Sequence, residues 1–322
     1  MHSLEYLQSN VTELFNKVKI SDFPENLYQP IVYSLAQGGK RLRPLLAFLG
    51  CELFDGKLQE VIPAALGLEI FHNFTLLHDD IMDDAPIRRG MPTVYKKWGS
   101  NTAILSGDTM FVIAYEQITR SHPDILKDIL DLFNQTAREV CEGQQLDMDF
   151  ETQKKVSIED YFEMIRLKTA VLIAGSLKSG AIAARASHDS QKAIYDFGIN
   201  IGLAFQLMDD LLDTYGDEES FGKKTGIDIV TNKKTFLYLK AYEKADFRIK
   251  KELDYAFLIE DNNMKIKKVI ELFDYLNIKA ETEIMIDEYT EYATNILDSL
   301  NLKSEKRAIL NSVIQKLIHR NS

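Results

Sequence analysis

Two groups of aspartates are the residues in this sequence best placed to do chemistry. Asp79, Asp80, Asp83 and Asp84 follow the apolar run FHNFTLLH, and Asp209, Asp210 and Asp213 follow a second one in FQLM. On a helix, Asp79 and Asp83 lie one turn apart on the same face, as do Asp209 and Asp213, with Cβ atoms about 5–6 Å apart. Like charges at that spacing destabilise a bare helix. A chain that accepts this cost twice, each time at the end of an apolar run, is expected to place a cation between the carboxylates. Oxygen-only ligands point to a hard cation such as Mg²⁺. For either cluster alone, a solvated acidic helix end is the alternative. An EF-hand is disfavoured because Ile81 stands where that loop needs its second oxygen ligand. Zinc is disfavoured because the chain has neither HExxH nor paired CxxC.

Basic residues cluster beside both groups. GGKRLRP supplies Lys40, Arg41 and Arg43, Arg88 and Arg89 follow the first aspartates, and Lys223, Lys224, Lys233 and Lys234 follow the second. GGKRLRP is not a P-loop, since Arg41 replaces the Ser or Thr after Gly39-Lys40 and Ser34 stands at the first glycine position. Taken singly, each basic residue reads as a solvated surface charge. As a set, in a chain of formal charge −11, they fit a bound polyanion. Mg²⁺ held by few carboxylates and a substrate diphosphate has that pattern, and arginine offers phosphate bidentate contacts. His72 precedes Asp79 by seven residues and so points almost the same way on a wheel of ~100° per residue. It is either a packed core histidine or an anion contact, whereas His78 reads as a packing residue.

The elements that must position these groups are expected to be helices. Glycine (16) and proline (7) are scarce for 322 residues, and folds rich in strands spend both on frequent turns. Apolar residues recur at Leu7, Val11, Leu14, Phe15 and Val18, and similar three-four spacing runs through 125–141, 266–297 and 304–318. No run alternates apolar and polar over six residues, so no sheet is predicted. FDGK at 54–57, the stretch 85–92, SHPD at 121–124 and the stretch 215–226 are expected loops. With no linker composition anywhere, the prediction is a single all-α domain over 1–322.

Acidic residues outnumber basic ones, 49 to 38, which argues against nucleic acid as a partner. Cys51 and Cys141 are the only cysteines, as expected in a reducing compartment, so a cytoplasmic location is predicted. The first residues lack a basic n-region, and no membrane span is expected, since no run approaches about 18 apolar residues.

These motifs resemble the trans-isoprenyl diphosphate synthases, the polyprenyl synthetase family. The resemblance rests on GGKRLRP (38–44), HNFTLLHDDIMDDAPIRRG (72–90), EGQQLD (142–147), LKT (167–169), FQLMDDLLD (205–213) and GKKTGIDIVTNKKT (222–235), in that order. It implies an isoprenoid-synthase helical bundle around a central cavity, a homodimer, and three Mg²⁺ per active site. Asp79, Asp83 and Asp209 would bind metal directly, with Asp80, Asp210 and Asp213 in the same metal-binding motifs, Asp210 and Asp213 acting through water. Arg88, Lys168, Thr169, Gln206, Lys223 and Lys233 would hold the allylic diphosphate, and Lys40, Arg43, His72 and Arg89 isopentenyl diphosphate. Lys168, Thr169 and Gln206 would also stabilise the allylic cation. The implied activity is condensation of isopentenyl diphosphate with allylic prenyl diphosphates.

An aromatic at Phe74, five residues before Asp79, resembles enzymes making geranylgeranyl (C20) or farnesyl (C15) diphosphate. On a plain wheel Phe74 lies roughly 140° from Asp79, so Phe71, Met110 or Phe111 are alternative floors. The rivals are a terpene cyclase, which lacks the second aspartate motif and GGKRxRP, a non-catalytic regulatory subunit, and a longer-chain polyprenyl synthase serving quinone side chains.

Overall fold

The structure is a computed structural model that describes residues 2–16, 18–216, 225–300 and 302–318. It is all-α apart from one two-residue hairpin. The chain divides into two compact units, Met1–Ala137 with Gly175–Ile194, and Arg138–Ala174 with Tyr195–Ser322. None of the helices in the described residues is long and apolar enough to cross a membrane.

The first unit is built on α4 (Leu58–Met82), the helix that carries the first aspartates. Val61, Ala65, Leu66, Leu68, Ile70, Phe71 and Leu77 bury several faces of α4, as expected of a helix surrounded by others. It packs along α6 (Ser100–Ile118) and α3 (Leu42–Leu53). Around these lie α1 (Leu4–Asn16), α2 (Glu25–Ala36), the short α5 (Val94–Trp98) and the start of α7 (Pro123–Thr152). Between α4 and α5, β1 (Ile87–Arg88) pairs antiparallel with β2 (Met91–Pro92). Arg89 and Gly90 turn this hairpin with φ of 53° and 75°, the positive pair a tight two-residue turn needs. The expectation of no strand fails here because two residues per strand cannot show an alternation.

The second unit holds the rest of α7, then α8 (Ile158–Ile165), a π-helical turn at Arg166–Ala170 that leads into α9 (Val171–Ala183), and most of α10 (His188–Tyr215). Ser157 starts α8 with a capping box, its side chain accepting from the Asp160 N–H at 3.0 Å while Asp160 accepts from the Ser157 N–H at 3.0 Å. Thr235, Asp246 and Asp261 cap the starts of helices Phe236–Lys244, Phe247–Phe257 and Asn262–Tyr275 with a single bond each, the side chain accepting from the N–H of Tyr238, Ile249 or Met264. The helical pattern over 266–297 is two helices, Asn262–Tyr275 and Ile278–Ser299. Asn277, left-handed at φ 55°, breaks it, a conformation asparagine tolerates. The last helix, Ser304–Ile318, lies where its periodicity predicted.

Candidate active site

In the first unit, α4 ends at Met82 and Asp83 is its C-cap. The Asp83 N–H still bonds to the Asp79 carbonyl at 2.8 Å, so the one-turn relation survives the helix end. The neighbouring aspartates have other partners. Asp80 is buried, and Arg88 Nε donates to its Oδ1 at 2.8 Å. Burial pushes the Asp80 carboxyl up while Arg88 pulls it back down. The hairpin is what turns Arg88 back towards α4. Asp84 has a left-handed backbone, and its carboxylate accepts from Tyr95 Oη at 2.8 Å and Lys96 Nζ at 3.1 Å.

The GGKRLRP turn lies before α3. Gly38 and Gly39 have φ of 78° and 124°. Arg89 donates to the Gly38 carbonyl, and a Cβ at Gly39 would lie 2.7 Å from its guanidinium carbon, so only glycine admits this packing. Lys40 is exposed and Arg43 half-buried. His72 is held well below the usual imidazole range, first by burial and then by the charges of Arg43, Arg89, Arg88 and Arg41. The structure therefore gathers Arg43, Arg88 and Arg89 within electrostatic reach of His72, two turns from Asp79. His78 faces elsewhere: its Nε2 lies 3.1 Å from the Ile104 carbonyl, and its ring packs edge-on to Phe74 at 4.7 Å.

Phe74 belongs to an aromatic layer. Its ring stacks on Phe111 at 5.2 Å and 14°. Phe71 lies 5.6 Å from both rings and 5.5 Å from Phe133. Phe71 and Met110 are 0% exposed, whereas Phe74 and Phe111 are only half-buried. Tyr115 meets Phe111 and Phe133 edge-on at 5.2 and 4.9 Å, so the half-buried members of this layer are Phe74, Phe111 and Tyr115, while Phe71 and Phe133 are buried.

The second unit builds its own cluster around the π-turn. A π-helical turn widens the helix and is often found at functional sites; this one carries Lys168 and Thr169. α7 crosses it at Gly143, where a Cβ would meet the Lys168 amide nitrogen and lie 2.7 Å from the Leu167 carbonyl carbon. Lys168 Nζ donates to Asp147 Oδ2 at 2.5 Å, and Lys233 Nζ lies 3.7 Å from the same oxygen. Burial pushes the Asp147 carboxyl up, but the two lysines outweigh it and hold it below the usual carboxylate range. Thr169 Oγ1 donates to Gln206 Oε1 at 2.9 Å, and Gln206 Nε2 donates to Asp210 Oδ1 at 2.9 Å. The other Asp210 oxygen accepts from Tyr161 Oη at 2.6 Å. Burial raises Asp210 to about 6, against the pull of Lys233, Tyr161 and Gln206.

Asp213 Oδ2 accepts from the Asp228 N–H at 2.9 Å, and Asp209 is half-buried on α10. Lys234 points away from Lys233, donating to the Phe150 carbonyl and, at 3.3 Å, to that of Glu151 near the C-terminus of α7, a favourable place for a cation. Lys223 and Lys224 lie outside the described residues.

Asp147, the last residue of EGQQLD, carries no role in the motif pattern although it bonds Lys168, and Tyr161 lies outside every motif. No local signal could have found Tyr161, which lies 49 residues from its partner.

Each of the two clusters, taken by itself, fits Mg²⁺ in its chemistry, since it offers oxygen ligands beside cations that suit phosphate. Among the described residues, no group of three or more His, Cys, Asp or Glu forms a metal cage of its own. A metal that takes part of its shell from substrate phosphates does not need one.

The sequence pattern of the polyprenyl synthetase family matches residues 24–276. The chain is 45% identical over 223 residues to the geranylgeranyl diphosphate synthase of Methanosarcina mazei, covering 69% of each. It is 36% identical over 318 residues to the geranylfarnesyl diphosphate synthase of Natronomonas pharaonis, covering 92% of this chain and 91% of that one. A crystal structure of a geranylgeranyl pyrophosphate synthase, 43% identical, covers 100% of both chains with a TM-score of 0.95.

Proposed function

The chain belongs to the polyprenyl synthetase family, and from that premise we propose that this prenyltransferase condenses isopentenyl diphosphate with allylic diphosphates to make geranylgeranyl diphosphate. The observation that carries the reading is the placement of the arginines beside the first aspartates: Arg88 donates to Asp80, next to Asp79, and Arg89 to the Gly38 carbonyl of the GGKRLRP turn, and the charges of Arg43, Arg88 and Arg89 add to the burial that holds His72 below the usual imidazole range. In a chain of net charge −11, such a gathering suits a polyanionic substrate.

Lys40, Arg43, His72 and Arg89 would hold isopentenyl diphosphate, while Arg88, Lys168, Lys223 and Lys233 would hold the allylic diphosphate. Asp79, Asp83 and Asp209 would ligate Mg²⁺, three ions per active site. Asp80, Asp210 and Asp213, whose carboxylates are already engaged by Arg88, by Tyr161 and Gln206, and by the Asp228 amide, would act behind them. When bound, Mg²⁺ supplies Lewis-acid stabilisation of the departing diphosphate.

The chain's own residues do the rest. Asp147 holds Lys168 and Lys233 together, so incoming diphosphate oxygens would find two cations already aligned. As the allylic C–O bond breaks, its electron pair leaves on diphosphate. Thr169 and Gln206, fixed to one another, would face the resulting cation with oxygen dipoles. The isopentenyl double bond forms the new C–C bond, and a proton passes to the departed diphosphate. A homodimer in the cytoplasm is the expected setting.

Phe74 and Phe111 would set the length of the product, with C15 the next choice after C20. The likeness to a geranylfarnesyl diphosphate synthase supports C25 as the alternative on the longer side. The test is mass spectrometry of products made with Mg²⁺, isopentenyl diphosphate and C5, C10 or C15 allylic diphosphates. Products ending at C20 support the assignment. Products beyond C25 keep the enzyme class but remove the role given to Phe74 and Phe111, and no condensation with any starter rejects the reading.

A further inference from the structure

Arg41 stands between Lys40 and Arg43 in the basic turn, yet its side chain points inward. Its Nη1 donates to Glu69 Oε1 at 3.0 Å and its Nη2 to the Leu35 carbonyl, with the guanidinium 4.5 Å over the Phe15 ring. One arginine thus joins α1, the last turn of α2, the start of α3 and the middle of α4. Glu69 is 2% exposed. Asn73, one turn on, donates to its carbonyl at 2.8 Å and to Oε1 at 3.3 Å. Glu69 Oε2 has no hydrogen-bond partner among the described residues.

The Arg41 backbone is left-handed, φ 45° and ψ 45°, a conformation that a non-glycine residue keeps only where its surroundings over-determine it. On the other side of the turn, Arg89 is bonded to the Gly38 carbonyl. Lys40 is therefore carried by a turn pinned at Gly38 by Arg89 and at Arg41 by Glu69.

We propose that the Arg41–Glu69 pair is the positioning element for isopentenyl diphosphate, setting Lys40 and Arg43 in place and keeping Arg89 at the Gly38 turn instead of drawn to Glu69. The proposal rests on the reading above that Lys40, Arg43, His72 and Arg89 hold that substrate. A buried ion pair is weak evidence for stability, because desolvation offsets most of its attraction, and fixing geometry is a better-attested use. Without Arg41, the buried Glu69 carboxylate keeps only the Asn73 amide. Arg89, which already feels the Glu69 charge, is then drawn towards it.

Steady-state kinetics with each substrate varied in turn tests this in the wild type, Arg41→Ala, Arg41→Lys and Arg41→Ala/Glu69→Gln. Arg41→Ala should raise KM for isopentenyl diphosphate about tenfold or more, with kcat and the allylic KM held within about twofold, the signature of lost ground-state binding at one substrate. The double variant should recover part of the loss, because it removes the stranded charge. Equal shifts in both KM values, or an unchanged isopentenyl KM, would overturn the proposal. Should circular dichroism show Arg41→Ala unfolded, Arg41→Lys carries the test. It keeps a cation for Glu69 but cannot reach Leu35 as well, and should raise only the isopentenyl KM, by roughly threefold; no selective rise overturns the proposal. A wild type that elongates no allylic diphosphate rejects the underlying reading and this proposal with it, whereas an active wild type with indifferent variants rejects the proposal alone.

Discussion

The aspartates between positions 79 and 84 share a residue type but not a neighbourhood. Asp80 is turned into Arg88 and Asp84 into Tyr95 and Lys96, which leaves Asp79 and Asp83 as the pair one turn apart. Asp79→Ala, or Asp209→Ala in the second unit's cluster, should lower Mg²⁺-dependent turnover at least about 10²–10³-fold, the scale of losing preorganised charge stabilisation. Helical circular dichroism should stay unchanged, and a collapse of that signal would make the aspartates structural. His72 makes a separate prediction. Its folded-state pKa lies below the unfolded one, so the folded protein binds fewer protons below about pH 6.5. The stability it contributes is present above that pH and is lost as pH falls. Tm measured from about pH 7.5 to 5.5 should therefore drop more steeply for wild type than for His72→Gln. Parallel curves would mean that His72 binds its proton equally well in the folded and unfolded chain.

At the scale of elements, what the sequence showed depended on how local the signal was. The one-turn spacing of Asp79 and Asp83 and the run of the last helix follow from period alone. The π-turn at Arg166–Ala170 does not, because LKT inside an apolar run reads as ordinary helix. The wide turn depends on what packs against it, and there Gly143 is the decisive contact. Gly143→Ala should cost about 1–3 kcal/mol, the usual range for overpacking. It should also lower kcat, because the added methyl pushes against the Lys168 amide. A thermal melt and a kcat measurement check both effects, and unchanged values for both would show that α7 has room there. The hairpin at 87–92 was hidden for a different reason. Its strands are too short for a pattern, yet it carries Arg88 to Asp80 and Arg89 to the Gly38 turn.

For the whole molecule, the family and the all-α class follow from six motifs in order and few breakers, whereas on the proposed reading product length would depend on which rings of the aromatic layer substrate can reach. Phe74→Ala and Phe111→Ala should each lengthen the product, read by mass spectrometry. Phe71→Ala, at a fully buried ring, should cost about 3–5 kcal/mol in stability and leave product length unchanged. A longer product from Phe71→Ala alone would move the floor to that residue. On the helical wheel Phe71 lies nearer the face of Asp79 than Phe74 does, with Met110 and Phe111 of another helix as further candidates for the floor. A wheel records direction around one helix, while exposure depends on what the neighbouring helices cover.

By itself the sequence determined which residues carry charge, how they repeat along a helix, and the family that their order resembles. All of these are properties of covalent spacing. Only the tertiary structure decided which charges are engaged: Arg41 with Glu69, Lys168 and Lys233 with Asp147, Asp210 with Tyr161. Those partners lie tens of residues apart along the chain. They meet because apolar faces pack helix against helix, and local sequence carries no record of that distance.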